Sequence, residues 1–157
     1  MSYTATMPKD WEIGDIHSNQ KGVKSTPLSK KGSPIFQSLA NSSSPLTSPF
    51  GASSFKDEQA TRKNICFRCP PSLADQLNKI DSYMRQYIEK HSGRLFKGKK
   101  VTYKPLLVPQ KDDYEPLIRC NINTAGQKVV RCWDADHSRC DLPEDLRDCT
   151  LVPRVQF

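Results

Sequence analysis

Residues 70–93 read PPSLADQLNKIDSYMRQYIEKHSG, and the fold turns on how this stretch is read. Leu73, Leu77, Ile80, Met84, Tyr87 and Ile88 recur at steps of three and four, which places them on one face of an α-helix. Asp75, Lys79, Asp81, Arg85 and Glu89 fall elsewhere on its surface. Pro70 and Pro71 punctuate the start. Ser72 has the chemistry of an N-cap, and Asp75 three residues on approaches a capping box. Gly93 supplies the stop. The expected helix therefore runs from Ser72 to about Ser92, roughly 30 Å long at about 1.5 Å per residue, with its apolar stripe committed to the core.

Strand signals follow the helix. Residues 101–108, VTYKPLLV, are β-prone, but Pro105 points to an edge or a bulge. Pro116–Ile122 and Gln127–Trp133 are two runs joined by Asn123-Thr124-Ala125-Gly126, which predicts a hairpin. In the first run Ile118, Cys120 and Ile122 share a core-like face, against Leu117, Arg119 and Asn121. In the second, Val129, Arg131 and Trp133 share a parity against Lys128, Val130 and Cys132. Residues 141–148, DLPEDLRD, read as an acidic turn with one helical turn at most. Residues 149–157, CTLVPRVQF, read as a strand that ends in mid-pattern with its partner unexplained, which suggests a fragment. Upstream, residues 18–56 are rich in Ser, Pro and Lys, and composition reads them as a flexible segment. Ile35-Phe36 and Pro49-Phe50-Gly51 interrupt it as short apolar clusters.

Charge is unevenly spread. Of the net +7, residues 61–104 hold eleven Lys/Arg against three acids, while residues 105–157 hold seven against nine. Residues 18–56 add five lysines and no acid. A basic block beside a mildly acidic module is the footprint of a protein that meets phosphates. The bland reading is that these lysines keep the chain soluble. The 36% hydrophobic content allows a modest core. No run approaches the roughly 18–20 apolar residues that span a bilayer. The N-terminus, MSYTATMPKDWEIGD, lacks the basic-then-apolar pattern of a signal peptide. The expected location is therefore intracellular, in cytoplasm or nucleus, with the six cysteines reduced.

Catalytic motifs are absent from the sequence. There is no Gly-rich phosphate loop, nucleophile elbow or His-x-x-x-His pair, and His17, His91 and His137 sit in unrelated contexts. Asp112/Asp113 and Asp134/Asp136 are acid pairs of the kind that solvate turns. Cys66-x-x-Cys69 has the spacing of half a zinc site, but Cys132, Cys140 and Cys149 supply no second close pair. No cofactor and no metal ligand set is expected. Residues 94–104, RLFKGKKVTYK, in contrast interleave cations with aromatic rings, as single-strand binders do when bases stack and phosphates pair. Arg94, Phe96, Lys97, Lys99, Lys100, Tyr103 and Lys104 are the expected contacts, extended by Arg119, Arg131 and Trp133 on the hairpin.

The order of motifs adds to this reading. Trp11, KGVKSTPLSKKGSPIFQ, Pro49-Phe50-Gly51, the helix, TYKPLLV, YEPLIRCNIN, VVRCWD and LPEDLRDCTLVPRV follow one another from about residue 11 to the end. This succession resembles a family of single-stranded-DNA-binding-like proteins of large DNA viruses of protists and algae and their algal relatives. The resemblance is most specific in Tyr103-Lys104-Pro105, Tyr114-x-Pro116, Arg131-Cys132-Trp133-Asp134 and Leu142-Pro143-Glu144-Asp145. It implies an OB-like, β-rich nucleic-acid-binding fold, with Tyr103, Lys104, Arg131 and Trp133 as contacts. It also implies that KSTPLSKKGSPIFQ is a strand pair. Ordered strands are then expected around Trp11–Ile16 and Pro34–Phe36, with residues 38–48 loose. The family pattern continues past the position of Phe157, so a C-terminally truncated chain is expected.

The combined expectation is an α+β or β-rich domain, an OB-like partial sheet with one long amphipathic helix. Residues 1–60 would supply N-terminal strands with a partly disordered Ser/Pro/Lys-rich segment, and residues 61–157 the helix and hairpin of the same domain. The expected function is non-catalytic binding of single-stranded DNA or RNA, with no membrane role. A protein-interaction or structural module and a small zinc-binding domain are the alternatives.

Overall fold

Helix formation begins with the two prolines. The computed structural model describes residues 10–22, 24, 25, 27–54, 60–100 and 102–157. In it Pro70 is extended at φ −63°, ψ 157° and serves as N-cap, Pro71 occupies the first helical turn, and the helix runs Pro71–Phe96. The Pro71 ring presets a helical φ and has no N–H to leave unpaired, so the helix starts one residue before Ser72. Ser72 is therefore inside the helix and caps nothing; no side chain caps this end. Gly93 does not stop the helix either. A glycine in a helix costs only about 1 kcal/mol, and buried Leu95 holds the turn beyond it. The stop comes at Lys97, which is left-handed at φ 52°, followed by Gly98 at φ 76°.

Chain order is β1 (Glu12–Ile13), β2 (His17–Ser18), β3 (Lys24–Ser25), β4 (Leu28–Lys30), β5 (Ser33–Pro34), β6 (Phe36–Ser38), β7 (Leu46–Ser48), β8 (Ala52–Ser53), β9 (Arg62–Arg68), α1 (Pro71–Phe96), β10 (Leu107–Val108), β11 (Leu117–Asn123), β12 (Cys132–Trp133), β13 (Arg139–Cys140), β14 (Cys149–Leu151) and β15 (Arg154–Gln156). This is a mixed α+β, strand-rich chain with one helix among the described residues and several small antiparallel sheets. The largest sheet has the order β10-β11-β9-β8. No described helix is long and apolar enough to cross a membrane.

The expected hairpin between Pro116–Ile122 and Gln127–Trp133 does not form. β11 pairs along its whole length with β9, from Leu117↔Arg68 to Asn123↔Arg62. The reason lies in β9, RKNICFR, whose Lys63, Ile65 and Phe67 alternate with Arg62, Asn64, Cys66 and Arg68. In that register Phe67 sits beside Ile118 and Ile65 beside Cys120, which joins two apolar rows into one buried face. The 127–133 run lacks such a continuous apolar row. Residues 124–130 form a loop instead, tied down by Thr124 N–H donating to Thr61 O at 2.7 Å and Val130 N–H to Asn123 O at 2.8 Å. The predicted core-like face of β11 is real: Ile118 is buried, and Cys120 and Ile122 pack against the core.

Leu73, Ala74, Leu77 and Ile80 bury the first half of the helix against this face, with Ile65, Phe67 and Ile118. Each large side chain removed from water contributes about 1.5–3 kcal/mol. Met84 is half-buried beside them, and Tyr87 and Ile88 are half-buried further along the stripe. Asp81 is also buried, on the same helix and at 4% exposure. Its carboxylate accepts the Tyr103 hydroxyl at 2.6 Å and the Leu106 N–H at 3.1 Å to each oxygen. These bonds bring the chain back along the helix toward β10. Of the 101–108 run only Leu107–Val108 is a strand, because Pro105 has no N–H to donate to a ladder; Val101 lies outside the described residues.

Trp11 and the C-terminal run also join this core. β14 pairs with β7 and β15 with β6, so the terminal run finds its partners upstream, and Pro153 divides it into two strands. Trp11 and Phe157 pack ring against ring at 5.4 Å. Residues 38–48, expected to be loose, contain fully buried Leu39 and Leu46 and buried Ser48. Leu39 N–H donates to Pro153 O at 2.9 Å, and Asp148 N–H to Ser48 O at 2.7 Å. Composition misleads here because a few well-placed leucines anchor a segment that is otherwise polar. The expected strands near Trp11–Ile16 and Pro34–Phe36 appear as β1, β2, β5 and β6. Residues 1–9 and 55–59 lie outside the described residues. The acidic stretch 141–148 holds no helix, and its Leu146 enters the core.

Gly51 ties β8 to this acidic stretch. It has φ +68°, and a Cβ there would sit 3.1 Å from the Arg147 backbone nitrogen and 3.4 Å from the Leu146 carbonyl carbon. Left-handed strain and a backbone clash act together, so Gly51→Ala is expected to destabilise by about 1–3 kcal/mol. Urea unfolding should show a lower midpoint with an unchanged slope.

Candidate nucleic-acid interface

The side of the central sheet that faces away from the core is set by strand alternation. From β9 it carries Arg62, Asn64, Cys66 and Arg68; from β11 it carries Leu117, Arg119, Asn121 and Asn123. Cross-strand pairs on this side are Arg68 with Leu117, Cys66 with Arg119, Asn64 with Asn121 and Arg62 with Asn123. Ser53 of β8 extends the asparagine row and Val108 of β10 lies beside Leu117. Leu117 is buried, but none of the polar or charged side chains on this side belongs to the core cluster. Arg62, Arg68, Arg119 and Asn121 are exposed, and Asn64 and Asn123 half-buried. The face thus combines three guanidinium groups with three side-chain amides and has no carboxylate on its strands. Ion pairs among the described residues are Lys30–Asp10 at 3.9 Å and Arg147–Asp145 at 2.7 Å. Among those residues the three arginines therefore have no acidic partner.

Arg62, Arg68 and the amides were not among the sequence-expected contacts. They emerge only when β9 is paired with β11, and the alternation within RKNICFR was the available signal. Arg119 was expected and lies in the middle of the face.

The RLFKGKKVTYK segment is not one extended row. Arg94 and half-buried Phe96 belong to the last helical turn, and Lys97 is its cap. Arg94 Nη2 donates to the Tyr87 hydroxyl at 3.1 Å. Lys99 and Lys100 follow in an exposed turn, with Lys99 N–H donating to Phe96 O at 3.0 Å. Cations here also answer the negative end of the helix dipole, which gives them a structural role in addition. Phe96 lines a shallow cleft of about 260 Å³ with Asp15, Ile16, Ser18, Arg94 and Lys97.

Tyr103 has a structural occupation. It is half-buried, its hydroxyl is spent on Asp81, and the Arg85 guanidinium lies 5.5 Å from its ring centre. Burial first, and then the bond to Asp81, raises its phenol well above the ordinary value, so it stays protonated. Lys104 beside it is exposed.

Arg131 and Trp133 stand on a separate small hairpin, where β12 pairs with β13. Trp133 is 56% exposed and faces Arg139 across the pair, another cation the sequence reading missed. Arg131, Arg139 and Lys63 line a cleft of about 420 Å³, with Asp141 and Glu144 on its wall.

Cys66 and Cys69 do not converge as zinc ligands would. Cys66 is on the outward face, and Cys69 is wholly buried in the core. Burial, with a smaller push from Glu115, raises the Cys69 thiol to about 12, which opposes the thiolate a metal needs. Among the described residues no three His, Cys, Asp or Glu groups lie together as a metal site.

No family profile, curated protein or solved structure matches this chain.

Proposed function

We propose that this protein binds single-stranded nucleic acid, DNA or RNA, without catalysis, and that the strand lies across the outward face of β9 and β11. The observation that carries the proposal is the face itself: Arg62, Arg68 and Arg119 among Asn64, Asn121 and Asn123, with no carboxylate on its strands. Guanidinium groups pair with phosphate oxygens through forked donors, and amides both donate to and accept from base edges. An antiparallel sheet with one face on the core leaves its other face open to such a ligand. Arg94, Lys97, Lys99, Lys100 and Lys104 would extend the electrostatic path at the helix end, and Trp133 with Arg131 and Arg139 would offer a stacking platform. Phe96 and Tyr103 are assigned secondary roles because both are half-buried. An OB-like arrangement, and kinship with the single-stranded-DNA-binding-like proteins of large DNA viruses, belong to the same proposal.

The test is fluorescence anisotropy with single- and double-stranded oligonucleotides across a salt series. Binding should favour the single strand, and log affinity should fall with log salt by about 0.7 per neutralised phosphate, hence about 2 from the three arginines alone. Absence of binding at low salt, or a salt-independent affinity, would sink the reading.

Exposed Phe36, Phe50 and Val152 support a second reading, a module that docks on a protein. The Arg154 guanidinium lies 5.8 Å from the centre of the Phe36 ring and covers part of it. A pull-down in which oligonucleotide fails to displace captured protein would favour this second reading.

A further inference from the structure

We propose that Cys132 and Cys140 form a redox-active dithiol that closes to a disulfide across β12 and β13 when the protein meets a peroxide. The two residues are directly opposed in the antiparallel register, Cys132↔Cys140. Opposed residues in such a pair have Cα atoms about 4.5–5.5 Å apart. That falls within the span of about 4.4–6.8 Å that a disulfide bridges without backbone movement. The hairpin is held in this register by its turn. Asp134 N–H donates to Ser138 O at 3.0 Å, His137 N–H to Asp134 O at 3.1 Å, and Ser138 N–H to the Asp134 carboxylate at 3.0 Å. His137, left-handed at φ 67°, completes the turn.

Access and register set this pair apart from the other thiols. Both cysteines are half-buried and line the 420 Å³ cleft, so a small oxidant reaches them. Lys63, Arg131 and Arg139 line the same cleft, with Asp141 and Glu144 beside them. Cys69 and Cys120 are different: burial raises each to about 12, which keeps them as unreactive thiols. Cys149 directs its sulfur to the Asp145 carbonyl at 3.7 Å. Cys66 lies opposite Arg119, with no cysteine facing it across the strands.

Cys140 is held above its ordinary value, first by hydrogen bonding with Cys132, then by burial and the charges of Cys132, Asp134 and Asp141. Either sulfur can react first; with Cys132 leading, Cys140 acts second. The Cys132 thiolate attacks one peroxide oxygen and the O–O bond breaks. The leaving hydroxide takes a proton and departs as water, and Cys132 becomes a sulfenic acid. The Cys140 sulfur then attacks the Cys132 sulfur and loses its proton. The S–S bond forms, the S–O bond breaks, and a second water leaves. Two electrons pass from the dithiol to the peroxide. The product clamps the hairpin that bears Arg131, Trp133 and Arg139, and none of this depends on the nucleic-acid reading.

Peptide mapping of the full chain decides the matter. Reduced protein is treated with equimolar hydrogen peroxide, alkylated, digested without reductant and analysed by mass spectrometry. The expected result is a Cys132–Cys140 disulfide within one chain, loss of two of the six thiols in a thiol titration, and full recovery with dithiothreitol. Cys132→Ser should abolish the loss of the second thiol, and Cys66→Ser should leave the link intact. Survival of both thiols, a disulfide joining other cysteines or separate chains, or equal two-thiol loss in Cys132→Ser would overturn the proposal. The wild-type map gives its answer even where a variant fails to fold.

Discussion

Replacing Arg62, Arg68 and Arg119 together by glutamine is expected to weaken binding to a single-stranded oligonucleotide by about 100-fold at 0.1 M salt. Each phosphate left without its cation removes about 0.7 from the salt exponent, so three remove about 2. Over the one decade of salt between 1 M and 0.1 M, that exponent is a factor of about 100. Glutamine keeps the stem and a polar head, and all three side chains leave the core cluster untouched, so stability should hardly change. A control removes the same net charge elsewhere. Lys21, Lys31 and Lys111 are exposed and lie off the sheet face. Their triple glutamine variant should lose only a few-fold and keep most of the salt slope. Equal losses in the two triples would mean that net charge, and not this face, attracts the nucleic acid.

The largest stability effect from a single polar side chain is expected at Asp81. Asp81→Ala leaves the Leu106 N–H and the Tyr103 hydroxyl without their shared acceptor. Bonds to a charged acceptor are worth more than neutral ones, and a buried donor left unmade costs about 1–3 kcal/mol. A loss of about 2–4 kcal/mol is expected, which for a chain of this size lowers Tm by roughly 5–15 °C. Asp81→Asn retains one oxygen to accept from both donors and should lose less than half as much. Tyr103→Phe leaves the Leu106 bond in place and should also fall below the alanine variant. Thermal unfolding followed by circular dichroism ranks the three. An alanine variant as stable as the parent would show that this carboxylate does not hold Tyr103 and Leu106 to the helix.

What the sequence disclosed and what it hid have distinct physical causes. The helix was legible because Leu73, Leu77, Ile80 and Met84 repeat at the helical period over several turns. Its ends were not, since Pro71 and Leu95 outweighed the local signals at Ser72 and Gly93. β9 was hidden inside a block that charge counting treats as one feature. Arg62 and Arg68 raise the net charge of the segment while Ile65 and Phe67 bury its other side. Nothing local tells β11 to choose a partner 49 to 61 residues upstream, from Leu117↔Arg68 to Asn123↔Arg62, rather than the adjacent 127–133 run. Asp81 was placed off the apolar stripe, and its burial was hidden because its partners Tyr103 and Leu106 are more than twenty residues away. The same blindness to long-range pairing concealed the site. Arg119 was visible as a cation on a strand, but Arg62 and Arg68 join it only through the register.

Nuclear magnetic resonance titration with an oligothymidine of about twelve nucleotides, a length within the usual range for single-strand sites, tests the central claim most directly. The Asn64, Asn121 and Asn123 side-chain amides and the Arg62, Arg68 and Arg119 Nε–H signals should shift in proportion to bound oligonucleotide. Side-chain methyls of inward-facing Ile65 and Ile118, one position along the same strands, should stay nearly still. Shifts confined to Lys97–Lys104 or to the Trp133 hairpin, with the sheet amides silent, would contradict the account.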